Sequence, residues 1–361
     1  MAELFGAMED LVLAHGPPGM EEEVREHIAS MVKDLVDELH VDRMGNLIAV
    51  RHGADIKIML DAHMDEVGIV VKHIDEDGWI WFDRHGGANE RLLQGQRVTI
   101  LTRLGRVEGV IGAKGRHLTT EEELAKPKPV KEMWIDVGAS SEEEATKLGV
   151  RIGDLGTFEK RFSRLGSGDL FCATSIDDRA GCLVLIESLR ALRNVDASIH
   201  AVFTVQEEVG CRGAKTAVNR IRPDVALVVD TTYGLDPATT SRETRLRIGS
   251  GPSIRALERS RESSAGHTVP KQIFNMIVDI AEQEQIPHQI EVNTMAVTDA
   301  ATLHLEGSGI PTGEILVPRR YSHSPIEVAS MKDLEVAVKL LTSVIRRVDG
   351  DIIGKLEKRL K

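Results

Sequence analysis

The sequence predicts an α/β protein, a twisted and mostly mixed sheet flanked by helices, interrupted by a small β-rich insertion. Three observations predict it. Apolar stripes at helical spacing alternate with short apolar strands in the first and last parts of the chain. The middle, from about 69 to 163, is rich in short Val/Ile runs and nearly devoid of helical periodicity. The 361 residues, 42% hydrophobic and 28% charged, suffice for a large core and about two domains.

Taken in order, Pro17-Pro18-Gly19 marks a loop. Met20, Val24, Ile28, Met31, Val32, Leu35 and Leu39 then recur as one helix stripe. Leu47–Val50 and Ile56–Leu60 read as strands bounded by Gly or charge. Within the insertion, IVVKHI, WIWF, RVTIL, RVEGVIG and MWIDV are strand-like, and one helix is expected near Glu142–Leu148. Trp79 and Trp81 alternate and so share a strand face. So small a sheet, with an apolar face and little helix to cover it, calls for a partner. Helices return at Arg179–Arg193 and Lys271–Gln285, and a last stripe runs Leu334, Val338, Leu341, Ile345, Val348. Between them, Ile199–Val205, Val225–Asp230 and Ile315–Val317 read as buried strands. The expected domains are 1–68 plus 164–361, with 69–163 inserted.

The formal charge is −12, from 57 acidic and 45 basic residues, which argues against nucleic-acid or anionic-membrane partners. Three cysteines, Cys172, Cys182 and Cys211, form no C-x-x-C pair, and the odd count points to a reducing, cytoplasmic home. The first residues are acidic where a signal peptide would be basic, and no apolar run approaches the roughly 18 residues of a membrane span. Gly166-Ser167-Gly168 and Gly249-Ser250-Gly251 continue into no phosphate-binding pattern.

Ligands of open α/β sheets sit beyond the carboxyl ends of the strands. After the expected strands come His63-x-Asp65, Gln206-Glu207-Glu208, Asp230 and Tyr321-Ser322-His323, and Asp177-Asp178 precedes a helix. Singly, such residues cap helices or face solvent. Together, carboxylates gathered at one sheet edge need a cation. Two His with several Asp and Glu suit Zn²⁺, Co²⁺ or Mn²⁺ better than an all-oxygen Ca²⁺ or Mg²⁺ cage. If His63 and Asp65 share a strand face, the carboxylate can hold the imidazole's second N–H.

The ordered set His63-x-Asp65, Asp177-Asp178-Arg179-Ala180-Gly181, Gln206-Glu207-Glu208-Val209-Gly210, Val229-Asp230 and Tyr321-Ser322-His323-Ser324-Pro325 resembles the tetrahedral aminopeptidase and glutamyl aminopeptidase family, co-catalytic metallopeptidases of which some members carry an endoglucanase-type label. The resemblance runs nearly the whole chain. It implies the co-catalytic zinc peptidase fold with a small β-barrel-like inserted domain, and an aminopeptidase acting on peptides. It also implies two divalent ions per subunit, zinc first, with cobalt or manganese as alternatives. Asp177 would bridge them, His63 and Asp230 would complete one site, and Glu208 and His323 the other. Glu207 would be the general base and Asp65 the carboxylate behind His63. Three ligand carboxylates and two neutral imidazoles leave the ion pair formally about +1, which favours hydroxide over water. The resemblance further implies a cis peptide after Asp177, and a homo-oligomer whose dimer contact uses the insertion, relatives forming tetrahedral dodecamers. Two stretches depart from the family pattern: Ala296-Val297-Thr298-Asp299 replaces Gly-Gly-Thr-Asp, and Gly86-Gly87-Ala88-Asn89-Glu90-Arg91 replaces Gly-Gly-Trp-Asp-Pro-Arg. The alternatives are another amide hydrolase, such as an acylamino-acid deacylase, and a non-catalytic, metal-stabilised assembly protein. An intact Glu207 speaks against the last.

Overall fold

Two helices open the chain: α1 (Ala2–Leu13) and α2 (Glu22–Val32) turn Phe5, Met8, Leu11, Val24 and Ile28 into the core. The computed structural model describes residues 2–192, 195–237, 244–350 and 354. The expected stripe from Met20 to Leu39 overruns α2. Leu39 belongs instead to strand β1 (Glu38–Val41), which pairs antiparallel with β2 (Leu47–Arg51), so sheet pairing overrides the helical period. β3 (Ala54–His63) follows.

The insertion closes on itself. β4 (Gly68–Ile74), β5 (Ile80–His85), β6 (Arg97–Thr102), β7 (Gly105–Ile111), β8 (Trp134–Asp136) and β9 (Leu155–Phe158) form a closed barrel in the order β4-β5-β8-β7-β6-β9. Two short helices, α3 (Glu121–Ala125) and α4 (Glu142–Lys147), sit in its connections. Ile69, Val71, Ile80, Phe82, Val98, Ile100, Ile135 and Phe158 fill its interior. This corrects the expectation of an uncovered sheet: closure removes the bare face, and the alternating apolar residues line the barrel. Trp79 precedes β5 rather than lying in it, yet its ring and that of Trp81 both lie against Trp134, with centroids 6.3 and 6.4 Å away.

The chain then returns through β10 (Phe162–Arg164) and β11 (Leu170–Ala173) to α5 (Ile176–Ala191); the last residue of the expected helix, Arg193, lies outside the described residues. There follow β12 (Ala197–Thr204), α6 (Arg212–Ile221), β13 (Val225–Tyr233), β14 (Ser253–Arg259), β15 (Gly266–Thr268) and α7 (Lys271–Gln283). The last named elements among the described residues are β16 (Gln289–Asn293), α8 (Ala300–Leu303), β17 (Thr312–Arg319), β18 (Glu327–Ser330) and α9 (Met331–Arg347). The central sheet is ordered β1-β2-β12-β3-β13-β17-β14-β15, with β16 beside β14. Its middle strands β12, β3, β13 and β17 are mutually parallel, and antiparallel pairs flank them on both sides. These four strands are buried along most of their length because helices cover both faces. α1, α2, α5, α7 and α9 pack on one face around Leu60, Phe203, Leu227 and Leu341; α6 and α8 pack on the other around Met59, Val202 and Val228. The parallel strands therefore end together, at one edge.

Candidate metal centre

That edge gathers the predicted residues. His63 is the last residue of β3 and pairs in register with Thr204, the last of β12; Glu207 and Glu208 follow just beyond. Asp230 lies on β13 opposite Leu316, and His323 sits in the turn after β17. Asp177 comes from the start of α5, where Asp177 and Asp178 depart from helical angles and the peptide between them is cis, as expected. Gln206, Tyr321 and His323 all have positive φ, a conformation tolerated where tertiary contacts dictate it.

Asp177 stands between the two histidines. Its Oδ1 is 3.2 Å from His63 Nε2, and its Oδ2 is 3.3 Å from His323 Nε2. His63 Nε2 is also 3.9 Å from Asp230 Oδ1, and His323 Nε2 is 3.5 Å from Glu208 Oε1. Glu207 Oε2 approaches His63 Nε2 to 3.9 Å. Two sets of donor atoms converge within 4.8 Å: His63, Asp178 and Asp230, and Asp177, Glu208 and His323. Asp178 thus joins the first set beside its neighbour. A cavity of about 530 Å³ opens over the cluster, lined by His63, Asp177, Glu207, Tyr233, Arg255 and Thr298.

Several of these oxygens have no hydrogen-bond partner although buried: Asp177 Oδ1, Asp178 Oδ2 and Glu208 Oε1. Burial, reinforced by the charge of Asp177, pushes the Asp230 carboxyl up to about 8. Burial lifts Glu208 to about 7, against the pull of His323. For His323, burial disfavours the charge, but Glu208 and Asp177 outweigh it and hold the ring at about 9. Asp177 is held well below the usual range in spite of its burial, because Arg319 and both histidines face it. Protein-only surroundings therefore leave this acid cluster short of positive charge and of hydrogen bonds. A mixed imidazole and carboxylate donor set with bare buried oxygens fits divalent ions of the zinc, cobalt and manganese kind.

Asp65 plays a different part from the strand-face argument. β3 ends at His63, so the two residues are not strand neighbours. His63 Nδ1 lies 3.1 Å from the main-chain oxygen of Asp65 and 3.6 Å from its Oδ1. Besides standing behind His63, the Asp65 carboxylate accepts the backbone N–H groups of Glu207, at 2.9 Å, and Glu208, at 3.0 Å. It ties the end of β3 to the segment after β12.

Sequence reasoning missed two residues. Arg319, at the end of β17, donates to Asp177 Oδ2 and lies 3.1 Å from Glu327. Glu327 accepts from the backbone N–H of Asp177 at 3.1 Å and of His323 at 3.0 Å. Neither carried a clear local signal: Arg319 closes a strand that also holds Glu314, and Glu327 opens the short β18. Both departures from the family pattern reach the site. Ala296 and Val297 line the cavity, and His323 Nδ1 lies 3.1 Å from the carbonyl oxygen of Gly87, on the loop after β5.

The profile of the M42 glutamyl aminopeptidase family matches residues 45–340. A putative aminopeptidase of Acetivibrio thermocellus is 39% identical over 345 residues, covering 95% of this chain and 98% of that protein. Among solved structures, an aminopeptidase of the archaeon Desulfurococcus kamchatkensis superposes with a TM-score of 0.93 at 37% identity, covering 99% of this chain and 98% of that one. The TET1 peptidase of Pyrococcus horikoshii, which can assemble into a tetrahedron or a large octahedral shell, gives 0.85 at 33% identity, over 96% of this chain and 100% of its own.

Proposed function

The chain belongs to the M42 glutamyl aminopeptidase family and is a hydrolase, and within that class we propose a two-metal enzyme that releases N-terminal residues from peptides. The observation that carries the proposal is Asp177, whose two oxygens face two different histidines at 3.2 and 3.3 Å. His63, Asp177 and Asp230 would hold one ion, and Asp177, Glu208 and His323 the other. Zinc is the first choice, with cobalt or manganese able to replace it. The ion pair would polarise the scissile carbonyl and acidify the attacking water.

The chain's own groups do the rest. Glu207 belongs to neither of the two donor sets built on the histidines, yet lies 3.9 Å from His63 and lines the cavity. Burial drives its carboxyl well above the ordinary range, opposed by His63 and reinforced by Glu208. A base so placed takes a proton from water and passes it to the leaving amine. Asp65 fixes its position by accepting its N–H. Arg319 and Glu327 orient Asp177 and His323.

The protein is proposed to act in the cytoplasm as a homo-oligomer with the barrel at the dimer contact, in line with the assembly of the TET1 peptidase. Among the described residues no helix is long and apolar enough to cross a membrane. Light scattering at micromolar concentration tests the assembly; a monomer would refute it. Aminoacyl anilides and N-acyl amino acids, offered to chelated and remetallated protein, test the chemistry. Metal-restored cleavage of the anilides is expected. Turnover of the N-acyl compounds instead would overturn the assignment in favour of a deacylase.

A further inference from the structure

A third donor set stands beside the proposed base. One ligand atom each from Glu207, Cys211 and Asp299 lies within 4.8 Å of the others. Cys211 opens α6, with its Sγ 3.5 Å from Glu207 Oε1 and 3.5 Å from the Thr298 carbonyl oxygen. Asp299 is 2% exposed. Its Oδ2 accepts from Thr204 Oγ1 at 2.7 Å; its Oδ1 is buried with no N–H or hydroxyl donor, and the buried Asp61 carboxyl stands within hydrogen-bonding reach of the same group. Glu207 and Cys211 both line the cavity, so an ion has a path in.

We propose that Glu207, Cys211 and Asp299 form a separate inhibitory site for a thiophilic divalent ion, zinc in excess or cadmium. The inference rests on the reading of Glu207 as the base. The donor chemistry sets the ion class: a thiolate with two carboxylates suits zinc or cadmium far better than magnesium or calcium. On binding, the ion takes the place of the thiol proton, which leaves to solvent, and a metal–sulfur bond forms. A Glu207 carboxylate engaged as a ligand no longer accepts a proton from water. The chain would then run with two ions and stop with a third, a brake responsive to free metal.

The test titrates cadmium chloride into zinc-loaded protein while recording turnover and the ultraviolet thiolate-to-cadmium charge-transfer band. The band should grow to one equivalent in step with the loss of activity. Cys172 and Cys182 could also give a band, so Cys211→Ser and Cys211→Ala are titrated in parallel, each against its own uninhibited rate. Groups that merely orient a ligand are worth roughly 10- to 100-fold in affinity, so loss of the thiolate itself should raise the inhibition midpoint at least about 10-fold and remove the band. Inhibition without a band, or equal midpoints in wild type and both variants, would overturn the site. A band of one equivalent with turnover unimpaired would leave the ion site standing and overturn Glu207 as the base.

Discussion

Glu207 and Glu208 are chain neighbours with different surroundings, and Asp65 sets both. Glu208 turns Oε1 to within 3.5 Å of His323, while Glu207 points toward His63 and Cys211. Glu207→Gln keeps the shape and the Asp65 contact but cannot accept a proton. Turnover should drop by on the order of 10² to 10⁴ with two metals retained, as read by steady-state kinetics and metal analysis. Near-normal turnover would remove Glu207 from the mechanism. Asp65→Asn acts through position. An amide can accept one of the two N–H groups and must turn its own NH₂ toward the other, so both glutamates shift. Metal affinity and turnover should fall together by roughly 10- to 100-fold, with the melting temperature of the fold little changed. Loss of affinity at the His63 ion alone would restore the simpler role, a carboxylate serving the imidazole.

At the scale of elements, the strand ends were legible because buried parallel strands read as plain apolar runs and a polar residue at their carboxyl end stands out. His63, Glu207, Asp230 and His323 were found that way. Arg319 and Glu327 were not, since a charge closing one strand and a charge opening the next make sense only once both are seen to converge on Asp177. Barrel closure was illegible for a related reason: period-2 alternation marks strands, but the pairing of β4 with β9 joins residues 69 and 156, which no local pattern specifies. The same closure brings the loop after β5 against His323. A Cβ on Gly87 would meet His323 Nδ1 at 2.8 Å and Cε1 at 3.1 Å. Gly87→Ala should therefore displace that ring and weaken the ion shared with Glu208 by about 10-fold or more, leaving the His63 side nearly unaffected. Calorimetric metal titration resolves the two; equal affinities in wild type and variant would show that the barrel loop does not position His323.

For the whole molecule, the acid cluster links stability to pH and metal. Without metal, burial and Asp177 raise the Asp230 carboxyl from an ordinary 3.8 to about 8. Between those values the folded state binds a proton that the unfolded state has lost, so stability falls as pH rises through that window. His323, held at about 9, adds a loss of the same sign at higher pH. Melting temperatures of chelated protein should decline from about pH 5 to about pH 8, and metal-loaded protein should resist the decline because the ions replace those protons. Parallel profiles would mean that the cluster does not bind the ions. The most direct test of the whole account is anomalous diffraction from metal-loaded crystals. Two peaks about 3.5–4 Å apart are predicted, both touching Asp177, one beside His63 and Asp230 and the other beside Glu208 and His323. A single peak, or a pair that does not share Asp177, would contradict it.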